Sequence, residues 1–207
     1  MRTTIITPGT YSVFSADLEA YHKLRHDIFV SLAGLGRSDL YAAAGQETDI
    51  WDLPHFNPVH FLVRDDEDVP VGVGRMTSAI RPTMMEVLYN EFLDDAVPRR
   101  SNLWEIQRVG LDLARLSGPM RERVFLELFT QMEAFSLRNG VQQLMLLTFE
   151  GIWEKRLTDM RRIGPAGIHL GFPHVALINE LDPAGHAGRC QELHTLTNRI
   201  LSKGEAA

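Results

Sequence analysis

The order in which strand-length apolar runs alternate with amphipathic segments is the feature that most constrains the fold of this chain. Runs at 59–64 and 69–78 flank the acidic turn 65–68 and predict a β-hairpin. Two further runs, at 102–111 and 141–148, stand alone. Around them, apolar residues recur at three- and four-residue steps, which is typical of a helix with one buried face. The sequence therefore predicts an α/β fold, a three-layer α-β-α sandwich with a mixed central sheet.

The helices follow from this periodicity and from the residues that start and stop helices. The predicted helices span 15–31, a segment from Ser117 to the Asn139-Gly140 stop, 150–163 and 189–203. Shorter elements are predicted as strands at 168–172 and 174–180 and as a loop with a short helix at 84–92. Residues 32–57 mostly lack periodicity, and so long a loop in a compact protein is often functional.

Length and composition favour a single globular domain over the whole chain, 1–207. No apolar run approaches the ~20 residues that cross a bilayer, and the N-terminus lacks the pattern of a signal peptide. The single cysteine, Cys190, cannot form an internal disulfide and makes no zinc site by itself. These features predict a cytoplasmic protein.

The net charge of −6 is unevenly distributed. Residues 1–98 carry 7 Lys and Arg against 15 Asp and Glu, which gives −8, whereas residues 99–207 carry 14 against 12, which gives +2. A nucleic-acid-binding protein more often has a strongly basic domain, so that class is not predicted. The arginines of the second half form either solvated faces or a local patch for a phosphate or an acidic partner.

Three carboxylates within six residues, Glu47, Asp49 and Asp52, need a cation among them, because like charges at close range repel. An arginine or a ligand could supply it, and the candidate arginines are Arg25, Arg75 and Arg108. A divalent metal is the alternative, since hard oxygen ligands suit magnesium and calcium, although the spacing fits no calcium-loop pattern. A plain acidic surface loop is a third interpretation.

An acidic and a basic residue also lie together on the apolar run at 102–111. Side chains alternate between the two faces of a regular strand, so Glu105 and Arg108 reach one site only if the strand is bulged between them. A charge buried in so apolar a strand needs a partner. The two residues therefore belong to a site or form an ion pair at a sheet edge.

Two glycines precede Arg75, in the sequence Gly72-Val73-Gly74. The segment continues as strand rather than helix, so the dinucleotide-binding fingerprint is not met. Glycines weaken a strand unless another element approaches closely or the strand bulges. The sequence therefore predicts one of these two features beside Arg75.

In order and spacing, four motifs resemble those of the LuxI-type acyl-homoserine-lactone synthases, which make quorum-sensing autoinducers. The motifs are Leu24-Arg25 with Phe29, Glu47 with Asp49 and Asp52, Arg75 with Pro82-Thr83-Met84, and Glu105 with Arg108. The match covers roughly residues 20–112, and the rest of the chain matches by element order. The resemblance implies the fold of the acyl-CoA N-acyltransferases, a GNAT-like fold.

The resemblance also implies two substrates, S-adenosylmethionine and an acyl thioester of coenzyme A or acyl carrier protein, with no resident cofactor or metal. The acyl group passes to the amine of S-adenosylmethionine, whose carboxylate then closes the lactone and expels methylthioadenosine. The residues implied to be catalytic are Glu105, as the base, with Arg108, Asp49 and Arg75. Those implied to bind substrate are Arg25, Phe29, Glu47, Asp52 and Arg37 and, along the acyl chain, Leu144, Leu146, Thr148, Phe149 and Trp153.

Within this resemblance, Asp49 and Asp52 would hold the cationic amine and sulfonium and orient arginine side chains. The arginines would bind the substrate carboxylate or lock the acidic segment through bidentate pairs. A phosphate of the acyl donor could meet basic residues near a helix N-terminus, namely Arg115, Arg121 and Arg123.

Three residues depart from the family pattern. Arg37 stands where Trp is usual, so an aromatic wall near S-adenosylmethionine is missing or comes from Tyr41 or Trp51. Gln107 and Val109 stand where Ser and Phe are common. Two other functions therefore stay open: a general N-acyltransferase of the same fold that acts on another amine, and a non-catalytic homologue that binds without turnover.

Overall fold

The computed structural model of the protein describes residues 1–32, 41–43 and 45–204. Its elements in chain order are β1 (Arg2–Ile6), α1 (Ser15–Arg25), a π-helical segment (His26–Leu32), β2 (Tyr41–Ala43), β3 (Gln46–Thr48), β4 (Val59–Arg64), β5 (Pro70–Ser78), α2 (Met84–Leu88), β6 (Leu103–Leu111), α3 (Gly118–Arg138), β7 (Gln143–Phe149), α4 (Glu150–Arg156), β8 (Arg161–Arg162), β9 (Gly167–His169), β10 (Phe172–Glu180) and α5 (Pro183–Gly204). Single 3-10 turns lie at Pro8–Thr10, Ile50–Asp52, Pro54–Phe56 and Asn90–Phe92. None of these described helices is long and apolar enough to cross a bilayer.

The chain forms two compact units. The first comprises residues 1–75, 108–135 and 182–207, and the second comprises residues 76–107 and 136–181. Strands β5 and β6 each contribute one part to either unit. The prediction of one domain over 1–207 concerns the whole chain and stays a prediction.

In the first unit the strand order is β1-β4-β5-β6. β1, which is absent from the predicted strands, pairs antiparallel with β4 along its whole length. A buried cluster joins α1 to β4 and β5, and its members are Tyr21, Leu24, Leu62 and Val73. The end of α1 therefore lies against the centre of this part of the sheet.

In the second unit the strand order is β5-β6-β7-β10-β8, and β9 also pairs with β10. β6 runs parallel to β7, whereas β7 and β10 are antiparallel. Its core includes Met85, Phe92, Leu103, Met145 and Ala176. Parallel and antiparallel pairs together make the sheet mixed, so the predicted α/β class with a mixed sheet is confirmed.

The strands predicted at 59–64, 69–78, 102–111 and 141–148 are confirmed as β4, β5, β6 and β7, to within two residues at either end. The helix predicted from 150 to 163 is wrong in its last turns, because α4 ends at Arg156 and residues 161–162 pair with β10. The strand predicted at 168–172 is instead a hairpin, in which left-handed residues 170 and 171 separate β9 from β10. α5 begins at Pro183, where Asp182 caps the first turn through two hydrogen bonds of 3.1 Å.

Gly72 and Gly74 allow α3 to pack closely on β5. A Cβ on Gly72 would lie 2.6 Å from Val124 Cγ1 and 3.3 Å from Leu128 Cδ1, and a Cβ on Gly74 would lie 2.2 Å from Met132 Cε. The two glycines share one face of the strand because they are two residues apart. The close approach that the sequence predicts beside Arg75 is confirmed.

Gly72→Ala is expected to lower the free energy of unfolding by about 1–3 kcal/mol, because its methyl group overpacks the contact with the branched side chain of Val124. Urea denaturation measures the change. Gly118→Ala is the control, since in the described part of the chain no atom outside the local backbone lies within 4 Å of a Cβ at that position. Equal denaturation midpoints for the wild type and Gly72→Ala would contradict the close packing.

Candidate active site

The acidic segment from Glu47 to Asp52 is folded by its own side chains. Asp49 precedes a 3-10 turn, and its Oδ1 accepts a hydrogen bond of 3.0 Å from the N–H of Trp51. Asp52 Oδ2 accepts one of 2.8 Å from the N–H of Asp49. This reciprocal capping arrangement holds two carboxylates side by side, and Glu47 is buried next to them on β3.

Arg25, at the end of α1, contacts all three carboxylates of the segment. Its Nε lies 3.1 Å from Glu47 Oε2, and its Nη1 lies 2.8 and 2.9 Å from the two oxygens of Asp52. Its Nη2 lies 3.3 Å from Asp49 Oδ2. The guanidinium carbon also lies 5.5 Å from the ring centroid of Tyr21, one helical turn earlier. Arg25 is fully buried, so it is not a solvated residue of the helix surface.

Arg75, on β5, forms a bidentate pair with Asp49. Nη1 lies 2.6 Å from Oδ1 and Nη2 lies 3.0 Å from Oδ2. Nη1 also lies 2.6 Å from Asp52 Oδ1. Such two-pronged pairs fix both orientation and distance. Arg75 is fully buried, so it acts on the carboxylates rather than on solvent.

Arg108, on β6, is the third arginine of the cluster. Its φ of +52° is left-handed, which is uncommon outside glycine and interrupts the alternation of the strand where a bulge is predicted. Its Nε lies 3.0 Å from Glu47 Oε1 at an angle too poor for a hydrogen bond, and its Nη2 lies 3.5 Å from Asp49 Oδ2. Its guanidinium carbon is 5.7 Å from the ring centroid of Phe29. β6 pairs with β7 over Leu103–Ile106, and Arg108 lies beyond these paired residues, so the interpretation as an ion pair at a sheet edge stays a prediction.

The three carboxylates and three guanidinium groups balance in charge and form what we call the acid–arginine network. Its members are Arg25, Glu47, Asp49, Asp52, Arg75 and Arg108. The predicted cation among the carboxylates is thus confirmed as arginine, and the interpretation as a plain surface loop is wrong. Among the residues that the structure describes, no group of three or more His, Cys, Asp and Glu side chains could hold a metal ion.

The arginines determine how the buried acids ionise. Burial raises the pKa of Asp52, but Arg25 and Arg75 outweigh this effect and hold the pKa well below its usual value. Burial lowers the pKa of both arginines, and the facing carboxylates more than reverse that effect. All three side chains are therefore charged at neutral pH.

Two histidines and two tyrosines pack behind the network, and the sequence analysis missed all four. His22 Nδ1 lies 2.9 Å from the carbonyl oxygen of Glu47, and His60 Nε2 lies 2.9 Å from Tyr11 Oη. The ring centroid of Tyr21 is 4.7 Å from that of His60. Two signals pointed to the histidines: His60 lies inside the apolar run 59–64, and His22 lies one turn before the arginine of α1.

Stability is expected to fall in mild acid because of His60. Burial lowers its pKa to about 3, although Asp52 opposes this effect. The unfolded chain therefore takes up a proton near the usual pKa of about 6.5 while the folded chain does not, and stability is lost as the pH falls from there towards the folded value.

Between pH 7.5 and pH 5.0, His60 is expected to account for about 2 kcal/mol of the lost free energy of unfolding. Urea denaturation at both pH values, with His60→Asn as the comparison, isolates this contribution because the other histidines are common to both proteins. A loss of the same size in the variant would show that His60 is not buried in its neutral form.

Glu105, in the second unit, is bound by donors at the start of α2. Oε2 accepts a hydrogen bond from the N–H of Met84 and Oε1 one from the N–H of Met85, both 2.8 Å. Gln107 lies two residues further along β6, and its Nε2 donates to Glu105 Oε2 and, at 3.0 Å, to Thr77 Oγ1. Glu105 is buried. Both carboxylate oxygens thus face donors, and the helix N-terminus adds a favourable positive end for an anion.

The residues predicted along the acyl chain do not all share one face. β7 places Leu144, Leu146 and Thr148 together, because they alternate with the residues of its other face. Phe149 lies on that other face, where its ring centroid is 4.5 Å from that of His174. Trp153, on α4, donates from Nε1 to the carbonyl oxygen of Met160 at 3.1 Å. The guanidinium carbon of Arg162 lies 5.8 Å from the centroid of the Trp153 ring.

The basic residues predicted to meet a phosphate have protein partners instead. Arg115 pairs with Asp65 and Glu67, and Arg123 lies 3.4 Å from Asp66. Arg121 donates to the backbone carbonyl oxygens of residues 113 and 116. Two of the three arginines therefore balance the acidic β4–β5 turn. Arg37 and the side chain of Tyr41 lie outside the part of the chain that the structure describes.

Comparison with known proteins identifies the family of this chain. A family model described as autoinducer synthase matches residues 10–164. The chain belongs to the autoinducer synthase family. It is 25% identical to the acyl-homoserine-lactone synthase of Aeromonas salmonicida over 149 residues, which are 69% of this chain and 69% of that protein.

Solved structures show that this member of the autoinducer synthase family shares the family's fold. MesI, a CoA-dependent acyl-homoserine lactone synthase, has a TM-score of 0.76 at 21% identity and covers 93% of this chain and 95% of its own. BjaI, another CoA-dependent synthase, was solved with SAM and isopentyl-CoA. Its TM-score is 0.72 at 21% identity, and the match covers 95% of this chain and 87% of the BjaI chain. A putative N-acetyltransferase from Lactobacillus plantarum has a TM-score of 0.55 at 16% identity, and the match covers 88% of this chain and 100% of the acetyltransferase chain. The predicted GNAT-like fold is confirmed.

Proposed function

We propose that the protein is an acyl-homoserine-lactone synthase. It transfers the acyl group of a thioester to the amine of S-adenosylmethionine, and the product closes to an N-acyl-L-homoserine lactone, a quorum-sensing signal. Membership of the autoinducer synthase family supports this reaction. The observation that carries it is the buried acid–arginine network, because a general N-acyltransferase has no use for three buried acids locked by three arginines.

The first step forms one bond and breaks another. The amine nitrogen attacks the thioester carbonyl carbon, the C–N bond forms, and the C–S bond breaks to release the thiol. The amine must lose a proton, and we assign the base to Glu105, acting directly or through a water molecule. The α2 N-terminus and Gln107 fix the position of this buried carboxylate, and a base must be fixed within reach of the amine.

The second step closes the lactone within one molecule. The carboxylate oxygen attacks the carbon next to the sulfonium, the C–S bond breaks, and neutral methylthioadenosine leaves. Effective concentration in an intramolecular reaction is high, so correct positioning suffices without a second acid or base. Arg108 is the arginine of the network with an exposed part, so we assign it to the substrate carboxylate.

The other members of the network position the site. Arg25, Arg75, Glu47 and Asp49 are each at most 3% exposed, and their charged atoms face one another. We therefore assign them to holding Arg108 and the acidic segment, with Phe29 stacked beside Arg108. For the acyl chain we propose the shared face of Leu144, Leu146 and Thr148, with Phe149 and Trp153 at the end of β7 and on α4.

The test combines S-adenosylmethionine with a panel of acyl-coenzyme A and acyl-carrier-protein donors and detects products by mass spectrometry. Methylthioadenosine and an acyl-homoserine lactone appearing together support the proposal, and the best donor identifies the acyl group. Acyl transfer to another amine would indicate the general N-acyltransferase. Binding of S-adenosylmethionine without product from any donor would indicate the non-catalytic homologue, and Arg37→Trp would then test whether the missing aromatic residue is the cause.

A further inference from the structure

His60 is the second residue of β4 and is fully buried. Its two ring nitrogens face different partners. Nε2 lies 2.9 Å from Tyr11 Oη, and Nδ1 lies 3.9 Å from Asp52 Oδ1. Within the described part of the chain, Nδ1 has no hydrogen-bond partner. The reaction described above assigns nothing to this buried histidine.

The ring is neutral at physiological pH, because burial lowers the pKa of His60 to about 3. A neutral imidazole carries one proton, so one ring nitrogen donates and the other accepts. Tyr11 also keeps its proton, since burial and the nearby Asp52 raise its pKa to about 12. Two arrangements are thus possible: Tyr11 donates to Nε2 and Nδ1 carries the proton, or the reverse.

The charge of Asp52 decides between these arrangements. With the proton on Nδ1, the positive end of an N–H dipole lies near the carboxylate; with the proton on Nε2, the lone pair of Nδ1 lies near it instead. A distance of 3.9 Å is too long for a hydrogen bond, so the interaction is electrostatic, and burial strengthens it. The other groups that face the ring are His22 and Tyr21. Arg25 Nη1 and Arg75 Nη1 lie 2.8 and 2.6 Å from the same Asp52 Oδ1.

We propose that His60 is a positioning residue for Asp52: Tyr11 donates to Nε2, and the resulting Nδ1–H holds the Asp52 carboxylate where Arg25 and Arg75 grip it. This inference rests on the proposed function, in which the network orients the S-adenosylmethionine site. Tyr11 and His60 thereby connect the N-terminal segment to the acidic segment. The consequence for the enzyme is an effect on the binding of S-adenosylmethionine rather than on the chemical step.

The tautomer is tested first, by nitrogen NMR of the full-length protein with labelled histidine. His60 is assigned as the signal that disappears in His60→Asn. The proposal expects a neutral ring protonated on Nδ1 in the wild type and a smaller Nδ1 preference in Tyr11→Phe, which removes the donor to Nε2. Protonation on Nε2 in the wild type would overturn the proposal. This measurement does not depend on any enzymatic activity.

The positioning role is tested by kinetics with His60→Asn and His60→Leu. Asn places an amide N–H near the position of Nδ1, whereas Leu has no donor. The KM for S-adenosylmethionine is expected to rise about tenfold in His60→Leu, the scale of one lost polar interaction, and to stay within about threefold of wild type in His60→Asn. The kcat at saturation is expected to change less than the KM in both.

Two results would overturn the positioning role: equal KM values for the two variants, or a loss confined to kcat. Thermal unfolding of both variants shows that each is folded at the assay temperature, and Tyr11→Phe replaces His60→Leu if the latter is not. If the wild type makes no lactone with any donor, the dissociation constant for S-adenosylmethionine, measured by calorimetry, is expected to follow the same order. The proposed function and the role of His60 can thus fail separately.

Discussion

Arg75→Met is expected to lower the free energy of unfolding by about 3–5 kcal/mol, the cost of breaking a buried ion pair while leaving its partners in place. Met keeps most of the volume of the side chain, so a cavity contributes little. Asp49 would lose its bidentate partner, and Asp52 one of its two arginines. Both carboxylates would stay buried with too little compensating charge. Urea denaturation at neutral pH measures the loss.

Arg115→Met is the matched control for this prediction. Arg115 also pairs with two carboxylates, those of Asp65 and Glu67, but the pair is exposed to solvent. Water and salt screen exposed pairs, so the free energy of unfolding of the variant is expected to equal that of the wild type within the error of the measurement. A loss of similar size in the two variants would mean that the burial of Arg75 is not the cause.

Glu105→Gln is expected to lower kcat by about 10²-fold or more, which is the scale of losing a general base. The amide cannot take the proton of the substrate amine, although it is nearly the same size as the carboxylate. Binding of S-adenosylmethionine should change far less than turnover, because Glu105 is not part of the acid–arginine network. Single-turnover kinetics and calorimetry separate the two effects. Turnover close to that of wild type would remove Glu105 from the mechanism.

A control is needed because Glu105 also binds the N-terminus of α2. Glu86 caps the same helix by accepting hydrogen bonds of 2.9 Å from the N–H and the hydroxyl of Thr83. Glu86→Gln weakens that cap without touching Glu105, so its kcat is expected to stay within about threefold of wild type. If Glu86→Gln lost as much turnover as Glu105→Gln, the role of Glu105 would be to hold the helix rather than to take a proton.

The elements of the fold could be predicted where periodicity is strong and local. The run at 59–64 was predicted at its observed bounds, because four of its six residues are apolar and it ends in a clear acidic turn. The helix at 150–163 was overextended, because residues 161–162 pair with β10, which is remote in sequence. β1 was also missed, although its Thr and Ile residues favour strands, because it is short and its partner β4 is remote in sequence.

The candidate site was predicted in its members but not in its arrangement. Glu47, Asp49 and Asp52 were singled out because clustered carboxylates require a cation, and that argument needs only their spacing. Which cation they use depends on Arg25 and Arg75, which lie 23–27 residues from Asp52 in the chain. No local pattern encodes that proximity. A histidine inside the apolar run 59–64 was a signal, but its partner Tyr11 lies 49 residues away in the chain, so the role of His60 could not be predicted.

The sequence by itself determined the α/β class, the four ordered motifs and the resemblance to a family of synthases, because these depend on residue type, order and short-range periodicity. Only the tertiary structure decided that the arginines are buried with the acids and that β6 turns left-handed at Arg108. It also decided that Glu105 binds the backbone of α2. The physical reason is that ion pairing, burial and hydrogen bonds to backbone groups depend on distance in space, and the partner in a backbone bond has no side-chain identity that a sequence could reveal.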